Sequence, residues 1–350
     1  FDANGFGQAV LSKSVIITGS QVPMFRLSKQ KEKEIEETGI REWDVDDLSL
    51  NFNTDAYQNF CGAIACARLG NPEVGVYFDA KLFRGNRVLK VNANEFLAFN
   101  SPNYPELAKY GIELTQFPDH MLPGPVSVEV SLDNDDARQR AKDQLKTITK
   151  TIDEYPVMQF NAFPAAYSAD TGTALLANLI NACVGEGLKG LILQSYGEGN
   201  FPSGNTGDAE NGAIYKALHD ANENGVVIVD ATQVIAGSVD ESAYAAGAWL
   251  PSAGAISASD MTSMAAFTKT MILSAAHSAD GTSLQEVKRL VQLNLAGEVM
   301  DVSRLDSRTN FELVPGQSIM ALDGSATLSN HPIYGCLLYT SDAADDRLRG

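Results

Sequence analysis

Lys90 closes a run of residues 82–90 (LFRGNRVLK) that places three cations within seven residues of an otherwise acidic chain. The plain reading is a solvated basic loop. The functional reading is a lysine held near a hydroxyl or a carboxylate, where its charge and proton can serve proton transfer. A second polar cluster, Gly197-Glu198-Gly199-Asn200, follows an apolar run. It fails as a dinucleotide-binding loop because Pro202 stands where a third glycine is needed. A tight turn with positive φ explains its glycines, and such a turn also offers backbone N–H groups and the Asn200 amide to a small polar ligand. The four histidines, His120, His219, His277 and His331, fall away from strand ends. His219 and His277 lie toward helix C-termini, where the helix dipole favours them, so a Ser-His-Asp triad has little support. Cys61, Cys66, Cys183 and Cys336 form neither a Cys-x-x-Cys pair nor a metal spacing. They read as reduced packing thiols, with Cys61 and Cys66 inside a buried Ala-rich helix.

Short apolar strands that end in small polar residues must position these groups. Residues 14–18 (SVIIT) run into Gly19-Ser20-Gln21, and 73–78 (EVGVYF) into Asp79. Residues 157–163 run into Pro164, 190–194 (GLILQ) into Ser195, and 226–230 (VVIVD) into Ala231-Thr232-Gln233. Near-continuous Val/Ile/Leu runs are the mark of strands covered on both faces of a parallel sheet. Helical spacing is found over 57–69, 170–184 (with Ser168 as N-cap), 212–224, 261–276 and 284–293. Alternation of this kind predicts α/β: a doubly wound parallel sheet, flavodoxin- or Rossmann-like, followed by a smaller α/β domain. Ligands of such folds bind beyond the carboxyl ends of the strands, where the polar tips are. Residues 27–47 read as a charge-mixed solvated loop or short surface helix.

The chain has 350 residues, a length that suits two domains. The predicted boundaries are 1–117, a partly helical connection over 118–156, and 157–330. Residues 335–350 (GCLLYTSDAADDRLRG) break the preceding pattern and read as a non-native tail. A formal net charge of -18 repels phosphate backbones and anionic lipid, so neither nucleic acid nor membrane is expected as the main partner. The first residues show no basic region followed by an apolar one, which points to a cytoplasmic home.

Nine segments in order give the chain a resemblance to the L-asparaginase family, closest to its cytosolic type I branch and the related animal enzymes. They are VIITGSQVP (15–23), TDAYQNF (54–60), LFRGNRVLK (82–90), AFNSPNYPELAKYGI (98–112), GLILQSYGEGNFP (190–202), GVVIVDATQ (225–233), YAAG (244–247), SDMT (259–262) and NLAGEV (294–299). The resemblance implies hydrolysis of L-asparagine to L-aspartate and ammonia, with L-glutamine as a side substrate. It further implies a threonine nucleophile, an acyl-enzyme, no metal or organic cofactor, and a homodimer or homotetramer. By motif position Lys90 matches the family's proton-handling lysine. Ser20 matches the residue whose backbone contacts the substrate amide, and Asn200 falls in a loop that approaches the neighbouring subunit's site.

Two family motifs, Thr-Gly-Gly-Thr-Ile and His-Gly-Thr-Asp-Thr, are absent from the sequence. Thr171-Gly172-Thr173 and Asp280-Gly281-Thr282 echo them superficially, the first opening a helix and the second in a helix–helix loop. Both family motifs precede VIITGSQVP, so the expectation is an N-terminally truncated asparaginase. A pseudoenzyme that binds amino acids without catalysis, and an asparaginase-like amidotransferase subunit, stand as alternatives. Met264 also occupies a place where the family carries an acidic residue.

Overall fold

The computed structural model describes residues 10–168, 171–205, 207–239, 246–280 and 283–300. The strand β1 (Val15–Ile17) pairs in parallel with β2 (Val74–Phe78), Val15 opposite Val74. Parallel neighbours need a long crossover. This one holds the surface helix α1 (Lys29–Thr38), an antiparallel ribbon of Phe25–Leu27 with Leu48–Leu50, and α2 (Ala56–Ala67). Ser28 caps α1 by accepting from the Lys31 amide, and Gly39 ends it at φ 72°. The charge-mixed segment is therefore a surface helix, one of its two expected forms.

From β2 the first sheet turns antiparallel. Asp79 and Ala80, at φ 47° and 63°, form a two-residue turn into β3 (Lys81–Arg84). β4 (Ala108–Tyr110) and β5 (Leu114–Gln116) continue the meander. A connection of two residues cannot cross over, so this part of the α/β architecture departs from parallel pairing. Between β3 and β4 a small hairpin pairs Leu89–Lys90 with Phe99–Asn100.

The second sheet carries the parallel strands that the apolar runs predict. β6 (Val157–Asn161), β7 (Gly190–Ser195), β8 (Val227–Thr232) and β9 (Ala255–Ser257) lie side by side in that order, all parallel. Side chains alternate between faces. Leu191, Leu193 and Ile228 pack with α4 (Leu175–Gly185) and α5 (Ala213–Glu223). Ile192, Val227 and Val229 pack with α6 (Ser263–Asp280) and α7 (Leu284–Gln292) on the other face. Each fully buried Leu or Ile contributes about 1.5–3 kcal/mol, so the two central strands anchor this layer. α3 (Asp135–Thr151), capped by Asn134, fills the helical part of the 118–156 stretch and packs on α6. Among the described residues β6 is an edge strand, and it is only half-buried, unlike the central pair.

Three local expectations change. α4 begins at Leu175 rather than near 170, with Ala174 and not Ser168 at its N-cap. Thr171-Gly172-Thr173 belongs instead to the turn and second strand of a ribbon, Tyr167–Ser168 against Thr173–Ala174, with Gly172 at φ 64°. α2 is buried on one face only: Cys66 is buried, whereas Cys61 is exposed. That face lies so close to β2 that a Cβ on Gly62 would fall 2.1 Å from the Tyr77 ring. Thr282, His331, Cys336, the first two residues of YAAG and the 335–350 tail lie outside the described residues. All described residues fall in one compact unit. Among them, no helix is long and apolar enough to cross a membrane.

Candidate active site

The chain leaves β1 through a turn built around one carboxylate. Asp55 precedes α2, where the helix dipole favours negative charge. Its Oδ1 and Oδ2 each accept from the Gln21 amide at 3.0 Å, and Oδ1 also accepts from the Val22 amide at 3.0 Å. Asn59, one helical turn on, donates to the Gly19 carbonyl and to Asp55 Oδ2, both at 3.0 Å. The Asn59 carbonyl oxygen accepts from the Asp79 amide at 3.1 Å, which ties this turn to the β2–β3 turn. Thr18 donates to the Tyr77 carbonyl at 2.8 Å, and Thr54 to the Val22 carbonyl at 2.7 Å. Both hydroxyls therefore hold backbone. Ser20 is left exposed at the tip of the turn.

Lys90 reaches this turn from the small hairpin. Its Nζ donates to Gln21 Oε1 at 2.8 Å. The Gln21 amide nitrogen in turn donates to the carbonyls of Ala93 (3.2 Å) and Glu95 (3.0 Å) inside the hairpin loop. Gln21 thus spans from the residue after Ser20 to the lysine and its loop. An adjoining cleft of about 610 Å³ is lined by Thr54, Asp55, Asn59, Asp79 and Phe96, among others. An ammonium placed here can stabilise a developing oxyanion or alkoxide and hand on a proton. The structure brings Ser20 and Lys90 to the same turn. Gln21, which joins them, is a residue that motif spacing did not single out; its place within VIITGSQVP is the signal.

Asn200 stands at the second sheet, beyond the carboxyl end of β7. The turn is closed by Tyr196 and Asn200 exchanging both amide–carbonyl hydrogen bonds, at 2.9 and 2.8 Å. Gly197 and Gly199 take φ 50° and 111°, as the turn reading requires. Thr232, at the end of β8, donates to the Gly197 carbonyl at 2.6 Å, and Ser195 donates to the fully buried Asp230. Among the described residues, no hydrogen bond joins Asn200 to the Lys90 cluster.

The basic run is not a solvated loop. Arg84 and Arg87 are 4% and 1% exposed. Arg84 binds Glu73 at 2.5 Å and lies over the Tyr104 ring, 4.3 Å from its centroid. Both arginines donate to the Gly297 carbonyl, at 3.3 and 2.7 Å, and Asn86 donates to the Ala296 carbonyl at 2.9 Å. Two of the three cations therefore fasten the first sheet to the NLAGEV segment, whereas Lys90 is exposed and donates to Gln21. Among the described residues, no group of three or more His, Cys, Asp or Glu is placed to hold a metal ion.

An α/β protein with polar strand tips and a lysine held against the first turn is the class these observations define. Residues 49–120 match the family model "Asparaginase, N-terminal", and residues 173–289 match "Glutaminase/Asparaginase C-terminal domain". L-asparaginase 1 of Escherichia coli (strain K12) is 28% identical over 290 residues, 83% of this chain and 67% of that protein. The 60 kDa lysophospholipase of Homo sapiens is 30% identical over 303 residues, 86% of this chain and 42% of that protein. The crystal structure of L-asparaginase I from Vibrio cholerae superimposes with a TM-score of 0.59 at 26% identity, covering 85% of this chain and 72% of that one. The chain belongs to the L-asparaginase family. It spans under half the length of its mammalian relative.

Proposed function

We propose that this chain carries the lysine side of an amide-hydrolysing centre that converts L-asparagine to L-aspartate and ammonia, with L-glutamine as the lesser substrate. The observation that carries the reading is the Lys90 ammonium, held 2.8 Å from Gln21 Oε1 beside the exposed Ser20 turn. In this reading a threonine hydroxyl attacks the side-chain amide carbon, the C–N bond breaks, and ammonia leaves with a proton. Water then cleaves the ester. Lys90 stabilises the alkoxide of the attacking group and relays its proton. The Ser20 backbone contacts the substrate amide, and Asn200 serves the neighbouring subunit's site in a homodimer or homotetramer. The two family motifs that carry the attacking threonine by resemblance are absent from this sequence, and the Thr18 and Thr54 hydroxyls donate to backbone carbonyls, so neither of these two is assigned the attack. The same reading keeps a first domain to 117, a connection to 156, a second domain to 330, and a cytoplasmic home.

The test is ammonia release from L-asparagine by the protein extended to its full reading frame. Lys90→Met should lower turnover by roughly 10²–10⁴-fold, the range of a general acid–base group, with little change in the melt. Unchanged turnover would remove the assignment.

A further inference from the structure

The function proposed for Lys90 leaves three family-like segments without a role: RGNR, SPNY and SDMT. They meet at one residue, Asp260. Arg87 Nη1 donates to Asp260 Oδ2 at 2.7 Å and to the Asp260 carbonyl at 3.2 Å. Asn103 Nδ2 donates to that same carbonyl at 2.9 Å and to the Gly237 carbonyl at 2.8 Å. The Asn103 side-chain oxygen accepts from the Gly237 amide at 2.8 Å. The other carboxylate oxygen of Asp260 accepts from the Met300 amide at 2.8 Å.

The positions of the two donors along the chain matter. Arg87 lies two residues before the Leu89–Lys90 strand, and Asn103 three residues after its partner strand Phe99–Asn100. Lys90 is paired with Phe99, and the Val91 amide donates to the Ala98 carbonyl at 2.8 Å, which closes the hairpin. Asp260 therefore grips both ends of the hairpin that carries Lys90. Lys90 itself is exposed, so packing does little to fix its side chain. Its place is inherited from the hairpin and from Gln21. The grip on Arg87 is strong: the guanidinium is buried and the hydrogen bond is charge-assisted. A group displaced by 1 Å can lose about 100-fold in rate.

We propose that Asp260 is a positioning residue for Lys90, setting the hairpin from the second sheet through Arg87 and Asn103. The proposal rests on the amidohydrolase reading. Asp260→Asn keeps an oxygen for the Met300 amide and removes the charge from Arg87. Asn103→Ala releases the far end alone and keeps the question open to experiment if Asp260→Asn fails to fold. Hydrogen exchange read by mass spectrometry on each full-length variant should show faster exchange over 89–100, by about tenfold, with β7 and β8 unchanged. In the ammonia assay kcat should fall by roughly 100-fold while KM stays within about twofold. A joint that serves stability alone would leave kcat intact once folded. Folded variants with native exchange in the hairpin, or with native kcat, overturn the proposal. An inactive Lys90→Met beside a fully active Asp260→Asn overturns it alone. A fully active Lys90→Met overturns the amidohydrolase reading as well.

Discussion

Two thiols five residues apart on α2 differ in exposure because the helix is covered on one face only. Cys66 faces β2, and burial pushes its thiol up to about 11. Cys61 is exposed beside the cleft. The thiolate is the nucleophile, so a rise of about two units leaves roughly 100-fold less of it near neutral pH. Iodoacetamide at about pH 8 should alkylate Cys61 well before Cys66, read by peptide mapping of the native protein; equal labelling would contradict the packing of α2. The same one-sidedness limits what residue types disclose. CGAIACA has an apolar composition on every face, yet only Gly62, Ala63 and Cys66 of that run are buried. Lys90 is legible as a candidate because it stands among cations in an acidic chain. The burial of Arg84 and Arg87 is not, because their carbonyl partner Gly297 is more than 200 positions away, and sequence spacing carries no information at that range.

The NLAGEV segment is an element in its own right, a turn organised by one buried carboxylate. Glu298 accepts from the amides of Leu295 at 3.0 Å and Ala296 at 2.6 Å, and from Lys269 of α6 at 2.5 Å. Burial pushes this carboxyl up, but the Lys269 charge and the hydrogen bonds outweigh it and hold it below the ordinary value of 4.5. A carboxyl depressed in the folded state adds stability that is complete above its unfolded value. That stability is lost as pH falls from about 4.5 through the lower folded value. Urea midpoints should therefore decline over this acid range, and Glu298→Gln should flatten the decline. Near neutral pH the same substitution should cost about 3–5 kcal/mol, because Lys269 is left buried without its partner. A native acid limb in the Gln variant would remove Glu298 from the account. Other elements were plain in the sequence: β7 and β8 open on the apolar runs GLIL and VIV, and α7 repeats Val287, Leu290 and Val291 on its buried face. The antiparallel meander was not, since β3, β4 and β5 are strands of only three or four residues whose sequences KLFR, AKY and LTQ form no apolar run. The start of α4 is hidden because the turn at Gly172 and the two-residue strand Thr173–Ala174 lie directly before an apolar run of helical spacing.

At the scale of the whole molecule, the first sheet presents apolar surface that the described residues do not cover. Tyr57, Phe60 and Ile64 recur at helical spacing on α2, each more than half exposed. α2 packs on β1, where Ile17 is also more than half exposed. β1 has β2 as its only sheet neighbour among the described residues, so its outer edge offers backbone groups to another strand. An apolar face beside an open edge favours association. Against it works a formal net charge of -18, which drives copies apart at low salt. The two forces respond oppositely to ionic strength: screening weakens the repulsion and leaves the apolar attraction in place. The chain of these 350 residues should therefore sediment as larger species at about 0.5 M salt than at about 0.02 M, and increasingly so with protein concentration. Phe60→Glu, which places charge in the middle of the face, should return it toward the monomer. Association that weakens as salt rises would assign the contact to charge pairs instead, and a monomer under both conditions would mean that this face is covered.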